Sequence, residues 1–321
     1  MSSPPENAPS TELPFRLPES ADRRAGPVSG TRPLAVWAAL AIVYVIWGST
    51  YLGIRIAVET FPPYLSASVR FVAAALVLGA LIAVRRGPSE LRVRPRQVGA
   101  AALVGVLLLT GGNGLVVGAE HAGLPSGVAA LLIATVPLLV VLLRLVTGDR
   151  PGWPTLAGVV VGFAGLAGLV ASRGGGGTVH VAPALVVVVG AASWSVGSFF
   201  SGRLPLPGNP FVGSMYQMAA GGLVLAAIGL ATGETVHHVS TRSWLAVGYL
   251  TLAGSLVAYT SYVWLLRHAS ISLVSTYAYV NPAVAVLFGA LFVHERITVA
   301  VLVSGAVTLA GVALVVQSNR S

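Results

Sequence analysis

The sequence predicts an all-α polytopic membrane protein with ten transmembrane helices, arranged as two inverted repeats of five. Of the 321 residues, 55% are hydrophobic and only 9% are charged. The mean hydropathy is +0.84, and both values are typical of membrane proteins. Apolar runs of about 20 residues, the length that a helix needs to cross a bilayer, recur between short polar breaks. In addition, parts of the second half of the chain repeat the first half.

The elements follow one another with short connections. Residues 1–32 are rich in Pro, Ser, Glu and Arg and contain no apolar run, so they are predicted to form a disordered cytoplasmic tail. Breaks such as residues 59–63 are so short that neighbouring helices are predicted to be antiparallel. The apolar spans lie at residues 34–55, 64–84, 97–119, 124–146, 153–171, 180–201, 211–231, 243–265, 270–292 and 298–317.

The predicted halves are residues 33–172 and 180–318, separated by a Gly-rich linker at residues 173–179. Pro137 in the first half corresponds to Pro282 in the second. Both are predicted to break their helices, because proline lacks the backbone N–H group. Since each half has an odd number of spans, the second half is predicted to enter the membrane in the opposite orientation. Inverted repeats of this kind are typical of secondary transporters, which bind their substrates between the halves.

The composition excludes several kinds of site. The chain has no cysteine, and its basic residues are all arginine. These absences rule out thiolate metal sites, a P-loop lysine and a Schiff-base lysine. The net charge of +9 would indicate nucleic acid as the partner of a soluble protein. Here, however, the arginines lie between apolar spans, mostly on the side of the N-terminus, so both termini are predicted to be cytoplasmic.

Aromatic and polar residues within the apolar spans are the candidate substrate-binding residues. Tyr277 and Asn281 are one helical turn apart, as are Trp47 and Tyr51, so the members of each pair share a helix face. The alternative is that such residues only join helices, since polar side chains also form hydrogen bonds between transmembrane helices. The predicted substrate-binding residues are Trp47, Tyr51, Asn113, Tyr277, Tyr279 and Asn281.

Arg70 lies inside the second span, where an unpaired charge is unfavourable. A structural ion pair between Arg70 and Glu120 is predicted, with Glu59 as another available carboxylate. An anion-attracting site is the alternative. Other acidic residues, such as Asp149 and Glu234, fall in predicted loops or at helix ends. Proton antiport through a carboxylate at the bilayer centre is therefore not supported, and facilitated diffusion, or coupling through the charge of the substrate, is the hypothesis.

Five motifs occur in the order found in one transporter family. They are WGSTY (47–51), GNG followed by AEH (112–121), PSGVAALLIATVP (125–137), SWSVGS (193–198) and STYAYVNPAVAVLFG (275–289). Over residues 34–317 the chain resembles the EamA family of the drug/metabolite transporter superfamily, and within it the YedA-like branch. This resemblance implies a ten-helix carrier of the inner membrane, with a central cavity between two repeats.

The predicted function is therefore a secondary transporter of the inner membrane that exports small metabolites, or amphipathic and aromatic drugs, by alternating access. An importer is the alternative, because a symmetric cavity can work in either direction. A membrane-embedded enzyme would need a nucleophile with a base, or a metal cluster, at membrane depth. The sequence has neither an HExxH nor a GxSxG motif, so no enzyme, cofactor or metal is predicted. The expected partners are a small-molecule substrate and the lipid bilayer but no nucleic acid, and the sequence does not indicate the oligomeric state.

Overall fold

The structure, a computed structural model, describes residues 33–148, 150–171, 181–269, 271–274, 276–294 and 297–318. Within these ranges all regular secondary structure is helical. The predicted tail at residues 1–32 and the Gly-rich linker at residues 173–179 lie outside the described residues.

Ten long helices occur in the described part of the chain. Eight of them are long and apolar enough to cross a membrane, and the remaining two contain the shorter apolar stretches Trp153–Gly168 and Val280–Val293. The predicted all-α polytopic membrane fold is therefore confirmed. The helices are α1 (Pro33–Ala57), α2 (Pro63–Arg86), α3 (Pro95–His121), α4 (Ser126–Val146), α5 (Trp153–Ala171), α6 (Val181–Ser201), α7 (Pro210–Ala231), α8 (Thr241–Leu266), α9 (Tyr277–Val293) and α10 (Val299–Ser318).

The helices of the two halves pack against one another in matched pairs. Helix α2 packs along α7, and α5 packs along α10, so the second helices and the fifth helices of the halves are paired. Helix α1 packs on α8 and α9, while α6 packs on α3 and α4. Each of these contacts has a counterpart in which the two halves are exchanged. This pattern is the one expected for two repeats related by a pseudo-two-fold axis.

Glycines bring helices of opposite halves into backbone contact. A Cβ atom on Gly105 of α3 would lie 2.6 Å from the Cα atom of Gln217 in α7. A Cβ atom on Gly221 of α7 would lie 2.9 Å from the carbonyl oxygen of Gly105. Similarly, a Cβ atom on Gly158 of α5 would lie 2.8 Å from the carbonyl oxygen of Gly311 in α10. Small residues allow such close packing of transmembrane helices.

Three of the helices contain π-helical stretches, whose turns are wider than those of an α-helix. They are Val43–Trp47 in α1, Val106–Gly114 in α3 and Leu250–Tyr259 in α8. Because α3 and α8 are the third helices of their halves, two of these stretches lie at matching places in the repeats. Such π turns are frequent at functional sites, and all three stretches contribute residues to the wall of the cavity described below.

The two prolines that were expected to break helices have different surroundings. The interruption of α4 covers residues 134 and 135, and the helix resumes at Val136, one residue before Pro137. Helix α9, in contrast, continues through Pro282 as one helix. The predicted break at Pro282 is therefore not found. Proline is tolerated within a transmembrane helix where neighbouring helices support its freed backbone groups, and α9 packs against α1 and α4.

Candidate functional site

A cavity lies between the two halves of the bundle. Its wall is formed by α1, α2, α3 and α4 of the first half and by α6, α8 and α9 of the second. The cavity and its mouth contain about 620 Å³ of empty space, of which about 60 Å³ can hold the centre of a water molecule. One buried water needs roughly 10–15 Å³ by this measure. The conformation described here therefore has room for only a few waters, and an organic solute would need a wider state.

Most of the predicted substrate-binding residues lie in the wall of this cavity. Tyr279 is the exception, because its side chain lies outside the described part of the chain. Arg70, which was predicted to form an ion pair, also lines the cavity. The structure brings these residues together, and their binding roles stay predictions. The lining residues among the predicted set are Trp47, Tyr51, Asn113, Tyr277 and Asn281.

Sequence reasoning missed several residues of the wall. Trp194 on α6 and Tyr259 on α8 line the cavity, as do Thr50 and Gly254. Trp194 carried a signal that could have been used, since it is an aromatic residue within an apolar span and belongs to the SWSVGS motif. Thr50 and Gly254 carried none, because small residues are common throughout transmembrane helices.

Four aromatic rings from four helices form one aromatic cluster beside the cavity, namely Trp47, Trp194, Tyr262 and Tyr277. The centroid of the Trp47 ring lies 5.8 Å from that of Trp194, 4.8 Å from that of Tyr262 and 5.4 Å from that of Tyr277. These separations are within the range of favourable aromatic pairs. Trp47 and Tyr262 each contact the other three rings of the aromatic cluster, and Trp47 connects the first half to three helices of the second.

Side chains of the cavity wall also form hydrogen bonds to backbone carbonyls in the π-helical stretches. The indole Nε1 of Trp47 donates to the carbonyl oxygen of Gly254 at 3.3 Å. The side-chain amide of Asn281 is oriented so that its Nδ2 can donate hydrogen bonds. Nδ2 donates to the backbone carbonyl oxygen of Tyr44 at 3.1 Å and to that of Tyr277 at 3.3 Å. Asn281 is buried and therefore joins α9 to the π-helical stretch of α1.

Side chains of α3 and α8 hold the guanidinium of Arg70 at the cavity wall. Its Nε donates to Ser255 Oγ at 2.9 Å, and its Nη1 donates to Asn113 Oδ1 at 3.4 Å. Its Cζ lies 4.7 Å from the centroid of the Phe71 ring, a distance typical of a cation–π contact. Only 4% of the surface of Arg70 is exposed.

Glu120, the predicted ion-pair partner of Arg70, lies near the end of α3. It is completely buried, and Arg55 Nη1 donates to its backbone carbonyl at 2.8 Å. The hydrogen bonds of the Arg70 guanidinium go to the neutral oxygens of Ser255 and Asn113. An ion pair between Arg70 and Glu120 stays a prediction.

The residue of the second half that is equivalent to Arg70 is a neutral glutamine. Helices α2 and α7 both begin with a proline, Pro63 and Pro210. Counted from these prolines, Gln217 occupies in α7 the position that Arg70 occupies in α2. Gln217 is buried, and its Oε1 accepts a hydrogen bond from the hydroxyl of Tyr259. The charge at this position is therefore present in the first half and absent from the second.

Among the described residues that line the cavity, Arg70 is the one with a charge. The ion pairs Arg86–Glu90, at 4.0 Å, and Arg242–Glu59, at 3.7 Å, are partly exposed near helix ends. Over the described ranges, no group of three or more His, Asp or Glu residues is arranged to hold a metal ion.

Each half of the chain matches the same family profile. The profile of the EamA-like transporter family matches residues 34–171 and, a second time, residues 182–317. The chain belongs to the EamA-like transporter family. The first match extends over α1 to α5 and the second over α6 to α10, so the cavity of this EamA-like chain lies between the two matched segments.

Similar proteins are named as transporters. The EamA-like chain is 38% identical to the inner membrane transporter YedA of Escherichia coli (strain K12) over 256 residues, which are 80% of this chain and 82% of YedA. It is 29% identical to a probable terminal-alkyne amino-acid exporter of Streptantibioticus cattleyicolor, over 88% of this chain and 93% of that protein. One crystal structure has the same fold, with a TM-score of 0.64 over 90% of this chain and 99% of the other chain, at 22% identity. Family and relatives thus indicate a multi-pass membrane transporter rather than an enzyme.

Proposed function

We propose that this EamA-like chain is a secondary transporter that exports small metabolites, or amphipathic and aromatic drugs, by alternating access. The observation that carries this proposal is the cavity between the two halves. Helices of both halves form its wall, and several of its polar side chains have hydrogen-bonding capacity. Relative movement of two repeats around a site of this kind opens it to one side of the membrane at a time. The small volume of the cavity supports an occluded or partly closed state.

The proposed location is the inner membrane, with both termini in the cytoplasm. The location rests on the similarity to the inner membrane transporter YedA and on the apolar helices. The orientation rests on the distribution of arginine. Arg85 and Arg86 at the end of α2, and Arg92, Arg94 and Arg96 before or at the start of α3, lie on the same side as the N-terminus, and such clusters mark the cytoplasmic side.

Within the proposed mechanism, Asn281 and Tyr277 contact the substrate from the second half. Trp47, Tyr51 and Asn113 contact it from the first half. The π-helical stretches are suited to this role, because their wide turns leave the hydrogen-bonding pattern of the helix less regular at the cavity wall. Tyr279 is retained as a substrate-binding residue on the sequence argument alone. Export is favoured over import because similar proteins carry export in their names, such as the probable amino-acid metabolite efflux pump of Escherichia coli (strain K12), at 22% identity over 80% of this chain and 86% of that protein.

Growth of efflux-deficient bacteria that express this protein tests the proposed function. The panel contains toxic amino-acid analogues, aromatic drugs and cationic dyes, and compares the wild type with Asn281→Ala and Tyr277→Ala at equal membrane expression. We expect the wild type to give resistance to one class of compound, and both substitutions to lower that resistance about 10-fold or more, because each removes groups from the cavity wall at a cost of about 1–3 kcal/mol.

A matched control is Tyr216→Ala. Tyr216 lies outside the cavity, where its hydroxyl donates to the carbonyl oxygen of Leu91 at 2.8 Å. It should keep the resistance of the wild type. Sensitisation by the wild type would instead indicate import, and resistance that neither cavity substitution changes would refute the proposed site.

A further inference from the structure

The guanidinium of Arg70 is held at the cavity wall by hydrogen bonds to two neutral side chains. Its hydrogen bonds go to Ser255 and Asn113, whose side chains are neutral. A buried cation is most stable when an anion and well-placed acceptors surround it. Neutral oxygens orient the guanidinium, but they do not neutralise it. A cation that neutral oxygens hold at the wall of the cavity therefore favours a ligand that brings a negative charge.

Side chains engage only part of the Arg70 guanidinium at the cavity wall. Gly254 has no side chain, and a Cβ atom at this residue would lie 3.0 Å from Nη2 of Arg70. The guanidinium therefore lies directly against the backbone of the π-helical stretch in α8. Two of its nitrogens are used by Ser255 and Asn113, and both Arg70 and Asn113 line the cavity. Arginine has five N–H donors, which bind a carboxylate in a forked geometry.

The other residues of the cavity wall indicate which kind of ligand body the cavity would bind. Apolar side chains such as Ile54, Val116 and Ile133 line it, together with the rings of Trp47 and Tyr277. No carboxylate occurs among the described lining residues, so a second positive or negative charge on the ligand would lack an opposite charge. The wall thus matches a solute with one carboxylate on an apolar or aromatic body.

We infer that the substrate of this transporter is a small monocarboxylate with an apolar or aromatic body, and that Arg70 binds its carboxylate. The inference rests on the proposed transport through the same cavity. It gives Arg70 a role in substrate specificity, which the matching residue of the second half, Gln217, cannot supply because it is neutral. Neutral amides of the same shape should therefore be poor ligands.

Calorimetric titration of the purified full-length protein tests this inference. The probes are pairs of acid and amide with the same body: phenylacetate and phenylacetamide, 3-phenylpropionate and 3-phenylpropionamide, and 4-methylvalerate and 4-methylvaleramide. We expect the acid of at least one pair to bind about 10- to 100-fold more tightly than its amide, because a hydrogen bond to a charged group contributes about 1.5–3 kcal/mol. Arg70→Gln should remove this preference. Arg203→Gln is the control, since Arg203 is exposed and its Nη1 donates to the carbonyl oxygen of Phe199.

A second variant keeps the test decisive if Arg70→Gln does not fold. Asn113→Asp has nearly the same shape as the native residue and places a carboxylate where Nη1 of Arg70 already donates, at 3.4 Å. This internal anion should compete with the ligand. We expect affinity for the acid to fall about 10-fold or more, while the thermal stability of the protein is unchanged or rises. Because Asn113 is itself a proposed substrate contact, the amides are titrated in parallel: a fall in affinity for the acid alone, with stability preserved, supports the role of Arg70, and an equal fall for acid and amide would count against it.

The results of the binding experiments test the role of Arg70 independently of the proposed export. Equal binding of acid and amide, binding of none of the acids, or a preference for acids that survives in Asn113→Asp would overturn the role of Arg70. Resistance in cells that depends on Asn281 could still be observed in those cases, and export through the cavity would then stand without the anion site. Conversely, Arg70-dependent binding of acids without any export in cells would retain the ligand class and refute the direction of transport.

Discussion

Gly105→Val is expected to remove most of the folded protein from the membrane. A Cβ atom at residue 105 would lie 2.6 Å from the Cα atom and 2.7 Å from the carbonyl carbon of Gln217. These are backbone atoms of α7, which cannot rotate away as a flexible side chain could. Helices α3 and α7 would have to separate, and the hydrogen bond between Gln217 and Tyr259 would be strained. The expected loss of stability is about 3 kcal/mol or more, at or above the upper end of the usual range for overpacked cores.

The measurement for Gly105→Val is the yield and the thermal unfolding of the protein after extraction in mild detergent. Gly99→Val is a matched control, because Gly99 lies on the same helix and no atom lies within 4 Å of the position of its Cβ. Both substitutions introduce the same branched side chain into α3. Similar yield and melting temperature for the two variants would show that α3 and α7 do not cross at Gly105.

Trp47→Ala should combine a large loss of transport with a smaller loss of stability. Trp47 contacts the other three rings of the aromatic cluster, and its indole donates to the carbonyl oxygen of Gly254. Removing it leaves a void between the halves and a carbonyl without this donor. Replacement of a buried Trp by Ala commonly costs about 3–5 kcal/mol in a protein core, and because Trp47 is only partly buried the loss of stability should be smaller than that. We expect flux through the cavity to fall at least about 10-fold, because small displacements of binding groups strongly affect function.

Flux in proteoliposomes and thermal unfolding of the same preparations test the effect of Trp47→Ala. Trp37→Ala serves as the control, since Trp37 lies on the same helix and is 57% exposed. It should leave both quantities near those of the wild type. If Trp47→Ala transported at the wild-type rate, the aromatic cluster would have no part in the substrate path.

The fold could be predicted well from the sequence for a simple physical reason. In lipid, each spanning segment must satisfy its own backbone hydrogen bonds, so a run of about 20 apolar residues has few alternatives to a helix. Polar and aromatic residues that interrupt this apolar pattern, such as Trp47 and Asn281, could be identified as candidate binding residues because they stand out within an apolar span. They now lie in one cavity, although they come from α1 and α9.

What could not be predicted depends on contacts between the halves. Ser255 is one of many small polar residues in the spans, and only the packing of α8 against α2 brings it within 2.9 Å of Arg70. The π-helical stretches are equally invisible, because their wider turns follow no local pattern of apolar residues. Pro282 gave a misleading signal, since the loss of one backbone donor does not end a helix that its neighbours support.

The central claim is that a solute passes through the cavity between the two halves. The native chain contains no cysteine, so Ile133→Cys introduces a single thiol into the cavity wall. Val160→Cys is the control on the exposed surface of α5, where Val160 is 69% exposed. Proteoliposomes of defined orientation are treated from one side or the other with a membrane-impermeant methanethiosulfonate reagent, and transport of the solute identified in the growth panel is then measured.

The account predicts that the thiol at residue 133 reacts from both sides, that the reaction stops transport, and that the transported solute slows the reaction. The control thiol at residue 160 faces lipid, where the impermeant reagent does not reach it, so the same treatment should leave transport intact. Unchanged transport after complete modification at residue 133, or a thiol there that reacts from neither side, would contradict passage through this cavity.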